Sequence, residues 1–187
     1  MVKNIKLTEK EISIENVVGS FKLKGKLDLR EINDKFKEDS VFNEQTFNYG
    51  VVVLKIKKPK MSFLIYRTGK VICAGAKSVE STKNSAKIIL NLFRKAGLNN
   101  TLSADVVINN IVATGNIEEK INLNLVSENN FNIDYEPESF PGAIYRSKDP
   151  RGTILFFSSG KIVCTGFKEV KDILKTIDAF VDHIART

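Results

Sequence analysis

The sequence predicts an α+β protein of two pseudo-symmetric repeats, its strands joined in one antiparallel sheet with helices on a single side. Three observations lead there. First, the chain is written twice. A shift of 91 residues lays YGVVVLKIKKP (49–59) on FPGAIYRSKDP (140–150) and FLIYRTGKVICAGAK (63–77) on ILFFSSGKIVCTGFK (154–168); a shift of 94 lays ISIENVVGS (12–20) on VVINNIVAT (106–114). Such self-similarity decides architecture before any local reading does. Second, each copy holds β-rich runs separated by the turn signals KKPK, DPRG, TGK and SGK. Third, each copy closes on a longer amphipathic helix. One stripe of apolar residues per repeat covers one sheet face and leaves the other bare.

The elements follow in order. A short extension (1–11) precedes the first repeat (12–97), which runs into the second (98–187) as one continuous structural unit. Each repeat opens on a strand, at 12–20 and 106–114. In the first, residues 28–39 form a helix in which Leu29, Ile32 and Phe36 recur at helical spacing behind an Asp28 N-cap; its counterpart, around 123–130, is short. The closing helices span 79–96, stopped by Gly97, and 168–185, where Val170, Ile173, Leu174, Ile177, Phe180, Val181 and Ile184 make one stripe.

Composition narrows the function. Of 187 residues, 42% are hydrophobic and 27% charged, as in a folded globular chain. No run approaches the roughly 20 apolar residues of a membrane span, and the N-terminus lacks the apolar core of a signal peptide, so an intracellular protein without a membrane partner is expected. Cys73 and Cys164 lie inside apolar strand phrases and read as buried free thiols; two cysteines make neither a disulfide framework nor a zinc site. Residues 1–97 carry 20 Lys and Arg against 10 Asp and Glu, and residues 98–187 carry 9 against 12, so a net +10 faces a net −3. The front half suits a polyanion.

Strand alternation sorts the bare face. It takes Lys70, Ile72 and Ala74 in the first repeat and Lys161, Val163 and Thr165 in the second, while both cysteines fall on the core side. Asn16 and Asn110 occupy matched strand positions, with Val18 and Val112 two residues on. Asparagine is disfavoured in strands, so something must compensate for it twice. The one histidine, His183, stands beside the apolar stripe of the last helix. With no glycine-rich phosphate loop and no metal-ligand spacing, no cofactor, metal or catalysis is expected, and an enzyme of a related fold is a remote alternative.

YEPESFPGAIYR (135–146) followed by LFFSSGKIVCTG (155–166) resembles the second repeat of the TATA-binding protein family, and the first half resembles a more divergent copy. The resemblance runs from about residue 12 to 185. It implies a saddle-shaped antiparallel sheet of ten strands with four helices on the convex face. It implies a general transcription initiation factor that binds double-stranded A·T-rich, TATA-like promoter DNA in the minor groove and kinks it with apolar wedges.

By the same resemblance the second-repeat wedges are Phe140, beside Pro141, and Phe157, with Phe156 in the core. The first-repeat wedges are Tyr66 and either Tyr49, which the gapless shift selects, or Phe47, which the preceding words FNEQTF select. Leu64 and Leu155 join the DNA-facing set. Asn16 and Asn110 match the pair that reads minor-groove acceptors. Lys55 and Arg146 match phosphate contacts, with Lys70 and Lys161 as helpers; a lysine where arginine is usual keeps the charge and loses the two-pronged grip. Glu136, Pro137 and Glu138 fall in the loop that meets a transcription factor B-type initiation factor within the RNA polymerase pre-initiation complex. The location implied is the nucleoid for an archaeal source and the nucleus for a eukaryotic one. Self-dimerisation through the open face when DNA is absent stays open. So does the alternative of a paralogue or accessory saddle module with weak or altered DNA binding, favoured by Tyr49 and Tyr66.

Overall fold

Buried and half-buried residues alternate along the strands, most plainly in MSFLIY and RGTILF, because successive side chains on a pleated strand point to opposite faces. The structure is a computed structural model that describes residues 8, 11–45, 50–128 and 132–185. In chain order its elements are β1 (Ser13–Leu23), α1 (Leu29–Lys35), β2 (Ser40–Asn43), β3 (Val51–Ile56), β4 (Met61–Tyr66), β5 (Lys70–Ala76), α2 (Val79–Lys83), α3 (Ser85–Lys95), β6 (Leu102–Asn116), α4 (Leu123–Glu128), β7 (Ile133–Asp134), β8 (Ala143–Lys148), β9 (Arg151–Phe156), β10 (Lys161–Phe167) and α5 (Val170–Ala185). The strands stand in the order β2-β3-β4-β5-β1-β6-β10-β9-β8-β7 in one antiparallel sheet.

The chain forms two compact units, Asn16–Asn109 and Met1–Glu15 with Asn110–Thr187. In the first, α1, α2 and α3 cover one face of the strands. Phe63, Phe93, Leu54, Ile65 and Ile89 are buried there, and the Phe36 ring stacks on Phe93 with centroids 6.0 Å apart. In the second, α5 lies on β9 and β10 and α4 on β7. Phe180 seats its ring against Phe156 at 4.7 Å and Tyr145 at 5.3 Å. Burying each such side chain stabilises the fold by about 1.5–3 kcal/mol. Cys73 and Cys164 are buried free thiols, and burial pushes the Cys164 thiol up to about 12.

The helices depart from expectation in one place. The first closing helix is two helices broken at Asn84, which makes five helices among the described residues instead of the four that the resemblance implies. The break has a local cause in the polar run 81–85. Ser78 caps α2 by accepting from Ser81 N, Thr82 Oγ1 donates to Ser78 O at 3.0 Å, and Thr82 and Ser85 are buried. Side chains of this kind compete for backbone partners and interrupt a helix. Gly19 on β1 lets the break come close, since a Cβ there would stand 2.6 Å from Thr82 Cγ2. At the start of α1 the expected cap holds, Asp28 Oδ1 accepting from Arg30 N and Glu31 N, both at 3.0 Å.

Candidate nucleic-acid interface

Cross-strand register places the sequence-predicted residues of each unit on the face away from its helices. In the first unit Lys55 pairs with Ser62, Ser62 with Ala74, Leu64 with Ile72, and Ile72 with Ser20. Asn16 and Val18 lie on the same face of β1, where only Val17 between them is fully buried. Tyr66 stands at the end of β4 opposite Val51. In the second unit Arg146 pairs with Thr153, Thr153 with Thr165, Leu155 with Val163, and Val163 with Thr114, with Val112 and Asn110 following on β6. Lys70 and Lys161 are exposed at the starts of β5 and β10. Phe47 and Tyr49 lie outside the described residues.

The two asparagines answer the propensity problem in the same way. Asn16 Oδ1 accepts from Gly75 N at 2.8 Å and Asn110 Oδ1 from Gly166 N at 2.7 Å. Each bond sits at an irregularity of register, between Val17 and Gly19 on β1 and between Cys164 and Phe167 on β10, where the ladder leaves that N–H without a strand partner. Gly75 and Gly166 have φ of 95° and 88°, conformations that exclude most other residues. A backbone N–H only donates, so each amide turns its oxygen toward the glycine and keeps its NH2 as the remaining polar group. In the second unit that NH2 lies 3.3 Å from Thr165 Oγ1; in the first, position 74 is alanine.

Phe140 and Phe157 meet at 5.9 Å, edge to face, over Gly142, where a Cβ would stand 2.9 Å from both rings. Phe140 remains 37% exposed, an unusual state for so large an apolar side chain. A turn fixes its backbone, Phe140 N and Ser139 N both donating to Glu136 O at 2.9 and 3.0 Å. The same turn carries Glu136, Pro137 and Glu138 exposed on its outer side. Arg146 Nε lies 3.3 Å from Asp134 Oδ2 with both side chains mostly exposed, a pair worth about 0–1 kcal/mol. His183 lies far from this chemistry, on α5 with its ring 6.0 Å from that of Tyr145 on the helix side of β8.

Some of the face was not foreseen. β2 adds Val41, 65% exposed, opposite Val53, and Asn43 opposite Val51. Ser20, Lys22, Ser62, Thr114 and Thr153 also belong to it, and the Thr114 hydroxyl donates to Glu15 Oε1 at 3.2 Å. The period-two alternation of KVICAG, carried into the neighbouring long strands, reaches Ser20, Lys22, Ser62, Thr114 and Thr153, whereas the four residues of β2 are too few to show it.

Fold and face together define an internally duplicated α+β protein whose working surface is sheet and not cleft. The family model described as transcription factor TFIID, or TATA-binding protein, matches residues 11–96 and 105–187. The TATA-box-binding protein of Methanothermobacter thermautotrophicus is 39% identical over 166 residues, covering 89% of this chain and 90% of the relative. That of Archaeoglobus fulgidus is 37% identical over 176 residues, covering 93% and 94%. The solved structure of the Methanococcus jannaschii protein superposes with a TM-score of 0.86 at 35% identity, over 95% of this chain and 99% of that one. The chain belongs to the TATA-binding protein family.

Proposed function

We propose that this protein is a general transcription initiation factor that binds A·T-rich, TATA-like duplex DNA in the minor groove through the helix-free face of each repeat. The observation that carries the reading is the matched pair of asparagines held by glycine N–H groups. Each presents an amide NH2, and the minor-groove edges of A·T and T·A pairs offer only the acceptors adenine N3 and thymine O2, whereas G·C adds a donor. The half-buried aliphatic residues Val18, Leu64, Ile72, Val112, Leu155 and Val163 give the groove floor a surface that demands no further hydrogen bonds. Phe140 and Phe157, backed by Pro141, supply an apolar wedge at one end of the site and Tyr66 part of one at the other, the unstacking being offset by the contact that a bend allows. Lys55, Lys70, Arg146 and Lys161 hold phosphates. The exposed acids Glu136 and Glu138 form the docking edge for a transcription factor B-type partner, and through it the polymerase assembly. Its place is inside the cell, on the chromosome.

The test is binding and end-to-end energy transfer on a short duplex containing TATAAA beside a G·C-substituted one. Tight binding with a large bend on the first alone is expected; equal affinity for both would refute promoter reading. Tyr66 and Val51 at the first-repeat end favour a second reading, a paralogue with weakened bending, which predicts A·T preference without the large change in transfer.

A further inference from the structure

One edge of the first unit is charged in a way that its scaffold does not require. The connection from β1 to α1 folds onto the β4–β5 hairpin through Leu23 N donating to Gly69 O and Leu27 N to Arg67 O, both at 2.9 Å. Gly69 is obligatory there, since a Cβ would stand 2.4 Å from Leu23 O. The second unit repeats these two anchoring bonds, while the turn between them differs, with Glu118 at positive φ and its N–H donated to Asn116 Oδ1. Ile117 N donates to Gly160 O and Ile121 N to Ser158 O, both at 3.0 Å, and a Cβ on Gly160 would stand 2.5 Å from Glu119 O. On this common frame the first unit places Lys22, Lys24, Lys26, Arg67 and Lys70, five cations. The second places Asn116, Glu118, Lys120, Ser158 and Lys161, a net +1 at the same five positions.

All five cations are exposed, and none forms an ion pair within the described residues. Lys22, Lys24, Lys26 and Arg67 line one open groove with Thr68 and Ser103. Lys22 and Lys70 stand directly opposite each other across β1 and β5, where like charges repel and lower stability; the matched pair, Asn116 and Lys161, has no such conflict. The first unit thus keeps an unfavourable pairing that the second shows to be dispensable to the frame.

We propose that this edge of the first repeat is an additional phosphate-binding surface for the duplex held on the adjoining open face. It grips the DNA backbone without reading sequence, and the matching edge of the second repeat has no equivalent grip. Lys22, Lys24, Lys26 and Arg67 are its residues, with Lys70 joining it to the face already described. The proposal rests on the DNA-binding reading above.

The test is a salt series on two duplexes, one with the TATAAA element and one G·C-substituted. Each lost phosphate contact lowers the slope of log affinity against log salt by about 0.9. The Lys22→Gln, Lys24→Gln, Arg67→Gln variant is expected to lose about 2–3 in slope on both duplexes, because backbone contacts weaken binding to every sequence alike. Lys22→Gln alone is expected to raise the melting temperature of the free protein by about 1–3 °C through relief of repulsion, while still weakening DNA binding. The mirror variant Glu118→Lys, Ser158→Arg builds the missing edge in the second repeat and should steepen the slope by about 2. An unchanged slope in a folded triple variant overturns the proposal. If the triple variant does not fold, an unchanged slope in the mirror variant overturns it equally. Wild-type protein that binds both duplexes with equal affinity sinks promoter recognition instead, and the slopes still decide the edge.

Discussion

The two repeats fill the same backbone frame with exchanged volumes. In the first, Met61 at the start of β4 is large and Ala76 at the end of β5 is small, both buried. In the second the matched residues are Gly152 and Phe167, and a Cβ on Gly152 would lie 2.1 Å from the Phe167 ring. One strand gives up its side chain and its neighbour takes the space, as close packing of a protein interior requires. At the open face the exchange runs the other way. Gly142 lets two phenylalanine rings meet in the second repeat, whereas the matched Val51 is buried opposite Tyr66 in the first. What the duplication holds constant is two matched pairs of positive-φ glycines, Gly69 with Gly160 and Gly75 with Gly166, and the hydrogen bonds made around them. Side chains on both faces have drifted, in compensating pairs inside and in unequal function outside.

The largest effect that tests this comparison is in the core. Phe167→Ala alone should cost about 3–5 kcal/mol of stability, and Gly152→Met alone about 2–3 kcal/mol by overpacking. Made together they rebuild the first-repeat arrangement, and denaturant titration should find the double variant more stable than the sum by about 1–3 kcal/mol. Strict additivity would break the idea of exchanged volume.

Next comes the unequal wedge. Phe157→Ala should weaken TATA binding about tenfold to a hundredfold, the worth of one stacked aromatic, and remove part of the bend. Tyr66→Ala should cost less, because Val51 already occupies the room that Gly142 leaves open. Equal losses at the two positions would erase the asymmetry.

Asn16→Ala and Asn110→Ala should each lower stability by about 1 kcal/mol, the worth of the bond to the glycine N–H, and each should reduce discrimination of A·T from G·C. The second should do more, since it also strips Thr165 of its amide partner. An effect seen only at alkaline pH belongs to Cys164. Its pKa in the folded chain is raised to about 12 from an ordinary 9.0. The stability it contributes is therefore complete below pH 9 and declines as pH rises from there toward 12. Unfolding curves across that window should flatten with pH in Cys164→Ala.

Much of this was legible because the repeat is written in strong phrases. KVICAG and KIVCTG alternate so cleanly that the core cysteines and the open-face Lys70, Ile72, Lys161 and Val163 separate without coordinates. The broken closing helix was hidden because a short polar run such as 81–85 does not by itself mark a stop, and Gly19, which leaves room for the break, lies about sixty residues away in sequence. The partners of Asn16 and Asn110 were equally out of reach, lying 59 and 56 residues off at an irregular register that no local pattern announces. β2 escaped because four residues following a helix carry too short a period to stand out.

Having both copies on one chain has a consequence for evolution. An assembly of two identical subunits must carry every substitution twice, so it could not hold glycine at one position, as at Gly142, and valine at its twin, as at Val51, nor pair Arg67 with a matching Ser158. Fusion removes that constraint: each half is inherited with the other and mutates without it. A duplicated chain is thereby free to become a pointer, with a distinguishable head and tail.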